Sequence, residues 1–342
     1  MEKAEKNHSW LEEIQVLYGF AIILVVVGHA LVFMNDYQLV PVFFRFLYDL
    51  IYIFHMPLFF AVAGYLFVYT NRSCEFRYGV FVLKKAKKLI IPYLLISSIV
   101  FLPKAVLNSY ALRPVNFSMA GYVRSLLYSG ESPILNYWFL PVLFIVYSIF
   151  ALSGRSIEIY RKPIMVALLS IALFSCNIIR PLRPVHIFYI SDVCSYLIYF
   201  WIGCMLYFFR DRKLGIRYSF WLWAVLLIAG ACLYEVTRNQ MVKFIGALVG
   251  ILFSFSLAEI IVGNARKILR WFGKYVFQIY LLSWFFETGI RIVLYQMLGI
   301  NYYIVMALTI VVGLFVPIFL TVLLNRCAPA FVTMIGFSEK SV

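Results

Sequence analysis

The chain has 342 residues, 64% of them hydrophobic and 13% charged, with a mean hydropathy of +0.91. Soluble domains are about 45–50% apolar and about 25% charged, so these values exclude a soluble globular protein and define an all-α polytopic membrane protein. The formal net charge of +15 matters through where the basic residues fall, because their placement sets orientation in the bilayer.

A helix that crosses the hydrocarbon core takes about 20 apolar residues. Ten stretches qualify, near residues 14–33, 44–69, 89–108, 134–153, 163–180, 192–209, 218–234, 241–262, 275–297 and 302–324. A bundle of about ten transmembrane helices is the expected fold. The fifth and seventh are short, and tilt or a locally thinner bilayer accommodates them. Residues 1–13 form a charged tail, 14–326 one membrane domain, and 327–342 a second tail. The charged start followed by a full-length span differs from a signal peptide, so none is expected.

Basic residues alternate along the loops. Those after spans two, four, six and eight hold Arg72, Arg77, Lys84, Lys85, Lys87 and Lys88; Arg155, Arg161 and Lys162; Arg210, Arg212, Lys213 and Arg217; and Arg266, Lys267, Arg270 and Lys274. The other loops are poorer, with Arg113, Arg124, Arg183 and Arg238 their main cations. The positive-inside rule then places both termini and the basic loops in the cytoplasm. The six cysteines, Cys74 among them, show no Cys-x-x-Cys pair or metal-ligand spacing, so neither a disulfide framework nor a metal site is expected.

Two histidines stand inside the first two spans. His29 closes the run from Gly19 to Gly28, and His55 lies in Phe54-His55-Met56-Pro57. Ionisable groups in a bilayer are costly and mark functional sites, and imidazole is the common general base near neutral pH. The structural alternative is a core histidine bonded to a neighbouring helix. Pro57 removes a backbone donor and tends to kink its helix.

Asp49 has Arg45 one turn before it, where the two can pair. It lies about 120° around the helix from His55, so it either pairs with Arg45 or orients a histidine on another span, such as His29. Tyr48 and His55, seven residues apart, do share a face. Glu287 and Arg291, four apart in the ninth span, either pair or face a polar cavity. Asn136 and Trp138 open the fourth span, where Trp is ordinarily a belt residue and otherwise lines a sugar site. The Lys84–Lys88 cluster attracts anionic headgroups or docks the phosphates of a cytoplasmic cofactor. Glycine-rich phosphate loops, nucleophile elbows and metal signatures are absent, and nothing points to nucleic acid.

Taken in order, these blocks resemble the acyltransferase family 3 membrane proteins, especially the fucose 4-O-acetylase-like branch. They are Gly19 through His29; Phe54-His55-Met56-Pro57-Leu58-Phe59-Phe60 with Gly64-Tyr65-Leu66-Phe67; the lysine cluster into Ile91-Pro92-Tyr93; Trp138-Phe139-Leu140-Pro141; and Gly273-Lys274-Tyr275. The resemblance implies an enzyme that takes acetyl from cytoplasmic acetyl-CoA. It implies delivery to a sugar hydroxyl of a cell-surface polysaccharide or its lipid-linked precursor, in a bacterial inner membrane. It matches His29 to the family's essential histidine and Lys84, Lys85, Lys87 and Lys88 to its CoA-phosphate motif.

Four polar family positions are altered here, to Gln15, Tyr18, Ala63 and Ser283. Tyr18 shares a helix face with His29, about 16 Å away along the axis, and offers a hydroxyl where the family has a fixed charge. The expected site therefore has His29 and His55 as catalytic groups, with Tyr18, Asn136, Trp138, Asp49 and Arg291 around the acceptor. With His29 toward the outside and the lysines inside, either the thioester reaches deep into the membrane or the acetyl group is relayed. Alternatives from another class are a glycan or solute transporter or flippase, and an inactive relative serving glycan export.

Overall fold

The computed structural model describes residues 2–32, 40–71, 76–106, 116–128, 135–153, 162–179, 186–210, 219–329 and 332. Arg72, Cys74, Arg113, Arg155, Arg161, Arg183, Arg212, Lys213 and Arg217 lie outside the described residues, as does most of the C-terminal tail. The described residues form twelve α-helices and no extended strand. They are α1 (Glu2–Leu31), α2 (Val42–Asn71), α3 (Tyr78–Val106), α4 (Met119–Leu127), α5 (Phe139–Ala151), α6 (Pro163–Ile179), α7 (Ile190–Phe209), α8 (Phe220–Thr237), α9 (Gln240–Ile260), α10 (Gly263–Lys274), α11 (Val276–Ile290) and α12 (Tyr302–Cys327). A 3₁₀ turn, Leu135–Trp138, precedes α5, and α11 widens into a π-helix over Arg291–Met297.

Each of the ten apolar stretches falls on a helix, as expected for a polytopic all-α membrane protein. Seven helices are long and apolar enough to cross a bilayer on their own: α1 from Leu11, α2, α7, α8, α9, α11 with its π extension, and α12. The apolar helices at Asn136–Ala151 and Pro163–Ile179 are shorter, and α3 carries the lysine cluster in its first half. The polar start continues α1 from Glu2. Pro57 lies inside α2 and the helix runs through it. Two elements are additional to the expected spans. These are α4, and α10, whose basic and apolar residues fall on opposite faces.

The chain forms two compact units, and their boundary falls inside α2. Unit 1 holds residues 1–62 and 209–342. Its first helix is clamped by α10. Gly19 and Gly273 let the two backbones touch, since a Cβ on Gly19 would strike the Leu269 carbonyl and one on Gly273 the Gln15 carbonyl. Glu12 Oε1 meets Arg270 Nη1 at 2.8 Å, and its Oε2 lies 3.8 Å from Arg266 Nη2. Arg266 also donates to the Ala258 carbonyl at 3.2 Å, which satisfies an otherwise open end of α9. Helix α9 approaches α2 through Gly246 and Gly250, which face Ile53 and Phe54. Small residues four apart allow such close packing where lipid offers no hydrophobic drive.

Unit 2 holds residues 63–208. Its centre is aromatic. Tyr147 packs edge-on against Phe200 with ring centroids 5.3 Å apart, and Phe150 lies 4.6 Å from the same ring. Gly64, two turns before the end of α2, meets the Phe200 carbonyl directly. Two polar ties join α6 to α7. Asn177 donates to the Ser195 carbonyl at 2.7 Å, and the Trp201 indole to Ser170 Oγ at 2.8 Å. Unpaired polar groups are costly away from water, so these bonds fix the register of two otherwise apolar helices.

Candidate active site

In unit 1 the last turn of α1 brings His29 against α11. His29 Nδ1 lies 3.4 Å from Glu287 Oε2, with the Glu287 side chain fully buried and that of His29 16% exposed. Among the described residues neither carboxylate oxygen of Glu287 nor His29 Nδ1 makes a hydrogen bond. At 3.4 Å the two side chains face each other in polar contact, longer than a formed N–H···O bond. A carboxyl group buried without hydrogen bonds is costly, so its contact with His29 carries meaning.

Arg291 frames this pair through backbone. It stands where α11 passes into the π-helix, and its guanidinium donates to the His29 carbonyl at 3.3 Å, the Glu287 carbonyl at 3.1 Å and Thr288 Oγ1 at 3.2 Å. The planar fork suits several acceptors at once. π-Helical segments recur at functional sites, and here the segment begins at the residue that ties α1 to α11. Tyr302, at the start of α12, ties that helix to α1 by donating to the Leu31 carbonyl. Helix α12 makes room for the carboxylate with Gly313. A Cβ there would stand 2.8 Å from Glu287 Oε1 and 2.9 Å from Val26 Cγ1.

On α2, Tyr48, Tyr52 and His55 line one face. Tyr48 and Tyr52 stack with centroids 3.9 Å apart, and Tyr52 meets the His55 ring edge-on at 4.7 Å. The Tyr52 ring also lies over Gly28, its Cε2 3.0 Å from where a Cβ would sit. His55 is buried, and its Nδ1 donates to the Ile51 carbonyl at 2.8 Å.

The remaining expected residues fall elsewhere. Asp49 meets Arg238 Nη1 at 2.8 Å, in the turn between α8 and α9, where Arg238 adopts a left-handed φ of 49°. The carboxylate beside His29 is Glu287, not Asp49. Tyr18 is half-buried with its ring 6.2 Å from Phe59. Lys84, Lys85, Lys87, Lys88, Asn136 and Trp138 belong to unit 2. Lys84, Lys87 and Lys88 are exposed. Lys85 is half-buried, its Nζ 3.8 Å from the Tyr147 ring centroid and 5.4 Å from that of Phe81. Burial, with the Lys88 charge adding, pulls the Lys85 ammonium down to about 7. Trp138 packs at 4.9 Å against Tyr196. Groups of three or more acidic, His or Cys residues able to hold a metal are absent among the described residues.

Glu287 and Tyr52 are the residues that sequence reasoning missed as members of this site. The signal for Glu287 was an acidic residue deep in an apolar span. For Tyr52 it was its place between Tyr48 and His55 on one helical face.

A half-buried imidazole facing a fully buried carboxyl group, inside a bundle of apolar helices, is an arrangement ordinary core packing does not need. Comparison with known families narrows this further. Residues 11–326 match the acyltransferase domain of the acyltransferase 3 family, and the chain belongs to that family. It is a membrane acyltransferase. No curated protein and no solved structure matches the chain.

Proposed function

We propose that the protein moves an acetyl group from acetyl-CoA to a sugar hydroxyl of a cell-surface polysaccharide or its lipid-linked precursor, with His29 as general base. The observation that carries this reading is the His29–Glu287 contact. A carboxylate facing Nδ1 favours the tautomer with its proton on Nδ1 and leaves Nε2 as the base, the logic of hydrolytic triads. Nε2 takes the acceptor hydroxyl's proton as that oxygen attacks the thioester carbon. The new C–O bond forms, the C–S bond breaks, and the imidazolium returns the proton to the leaving CoA sulfur. Glu287 offsets the transient imidazolium charge, and Arg291 holds α1 and α11 in register.

His55, with Nδ1 committed to its own helix, is a positioning group that fixes the Tyr52 ring. Tyr18, Asp49, Asn136 and Trp138 stay as candidates for acceptor contacts. Lys84 and Lys88, exposed and one turn apart, are the CoA-phosphate ligands in this reading. The basic loops and both termini face the cytoplasm of a bacterial inner membrane.

The test is acetyl-CoA binding and CoA release by the purified protein, with and without acceptor glycan, beside His29→Ala. A positioned general base contributes about 10²–10⁴-fold. Binding by both proteins, with turnover lowered at least about 100-fold in His29→Ala, supports the assignment. A folded protein that binds no acetyl-CoA overturns it.

A further inference from the structure

Unit 2 contains a cavity of about 370 Å³ walled by α3, α4, α5 and the turn before α7. Ile90, Tyr93 and Leu94 face it from α3, Leu126 from α4, Phe144 from α5 and Phe188 from the turn. The wall's polar atoms bond to one another. Tyr93 donates to the Leu126 carbonyl at 2.8 Å, and its oxygen lies 2.9 Å from that of Tyr189. The cavity surface is hydrocarbon. Phe188 and Tyr189 both hold left-handed backbone, with φ of 50° and 58°, a strained conformation for aromatic residues. This turn sets the Tyr189 hydroxyl against Tyr93 of α3. The cavity is open on one side, where Leu94 is 41%, Val123 45% and Phe188 54% exposed.

Water needs two to four polar partners to stay in such a space. Few are offered, so the occupant is apolar. At about 30 Å³ per water-sized atom the volume takes about a dozen carbon atoms, one section of a hydrocarbon chain. The charge beside the cavity selects which chain. Lys87 precedes Ile90 by three residues and Leu94 by seven, so all three lie on one stripe of α3. Lys87 is exposed and lies about 10 Å from Leu94 along the axis. Lys84 and Lys88 project to an adjoining face and remain for the acyl donor.

We propose that the cavity holds one acyl chain of an anionic phospholipid, whose headgroup phosphate meets Lys87. A cation followed along one helix stripe by an apolar slot matches the two ends of such a lipid, and basic residues at a membrane surface attract anionic headgroups. The site does not depend on the acetyl-transfer chemistry and would persist in a catalytically dead variant.

The test is native mass spectrometry of the delipidated full-length protein, titrated in mixed micelles with phosphatidylglycerol or phosphatidylcholine. One phosphatidylglycerol is expected to be retained about fivefold better, the discrimination that one lysine near the surface gives. Lys87→Gln is expected to bring the ratio close to one. Leu94→Trp, on the open rim, fills the mouth and is expected to abolish retention of either lipid. Val123→Trp does the same from α4 and keeps the test available if the first variant misfolds. Equal retention of both lipids by the unmodified protein overturns the proposal, as does undiminished retention by folded rim variants. Displacement of the lipid by decanoyl-CoA, at concentrations where acetyl-CoA displaces nothing, would instead assign the cavity to a long-chain acyl donor.

Discussion

His29 Nδ1 and Glu287 Oε2 stand 3.4 Å apart across α1 and α11, with the carboxylate fully buried. At an effective dielectric of about 20, unit charges at this distance attract by about 5 kcal/mol. Burying each ion costs several kcal/mol, so the pair adds little net stability. Glu287→Gln keeps the shape and removes the charge. It is expected to lower kcat by about 10²-fold or more, to leave KM for acetyl-CoA within a few-fold, and to leave Tm unchanged or raised. Steady-state CoA release and thermal unfolding check this together. A kcat within a few-fold of the unmodified enzyme would remove Glu287 from the mechanism.

Gly313 is the space that Glu287 occupies. A methyl group there would lie 2.8 Å from Oε1, 3.0 Å from Glu287 Cγ and 2.9 Å from Val26 Cγ1. The carboxylate would have to move from His29, or α12 from α1. Gly313→Ala is expected to cost about 1–3 kcal/mol of stability, as overpacking does, and to lower kcat together with Tm. Gly289→Ala, on the same pair of helices but with nothing near the added Cβ, is the control and should leave both unchanged. Equal behaviour of the two variants would show that Gly313 does not position the carboxylate.

The membrane helices were legible because each is a long apolar run, and composition alone separates them from charged loops. Helix α10 was not, because its arginines satisfy the positive-inside pattern and read as loop residues. Only its packing shows why Arg266 and Arg270 sit where they do, on Glu12. His29 was legible as an ionisable group in an apolar span. Its partner was not, since a pairing between the first and eleventh helices has no local signature. Spacing exposed Asp49 and Arg45 as neighbours, but it could not show that Asp49 also reaches Arg238 across a turn. Spacing likewise placed Glu287 and Arg291 together, as a pair or on a polar cavity, without showing which groups each one meets. In the fold, Arg291 binds main-chain oxygens and the carboxylate turns to His29.

Gly19 and Gly273 form a reciprocal contact in which backbone meets backbone. Neither neighbour is the flexible end of a side chain, so nothing can rotate aside. Gly19→Ala and Gly273→Ala are each expected to destabilise by at least about 1–3 kcal/mol, and the double variant by less than the sum, because either one already separates the helices. Thermal unfolding of the three variants in detergent checks this. Full additivity would mean that the two glycines serve different contacts.

Lys85 gives the fold a pH dependence whose sign is fixed by its surroundings. Burial first, and the Lys88 charge second, lower its ammonium from the usual lysine range near 10.5 to about 7. Between those two values the unfolded chain keeps the proton that the folded chain has lost. The unfolded state binds more protons, so this residue makes stability rise with pH from about 7 toward 10. Below about 7 both states are protonated, and the cost of holding the charge between Phe81 and Tyr147 is constant. Lys85→Met keeps the stem and removes the titration. The Tm difference between the unmodified protein and Lys85→Met is therefore expected to shift in favour of the unmodified protein between pH 7 and pH 9.5, and to stay flat between pH 5.5 and pH 6.5. Thermal unfolding across this range measures it. Parallel curves for the two proteins above pH 7 would show that Lys85 stays charged in the fold, held on the Tyr147 ring.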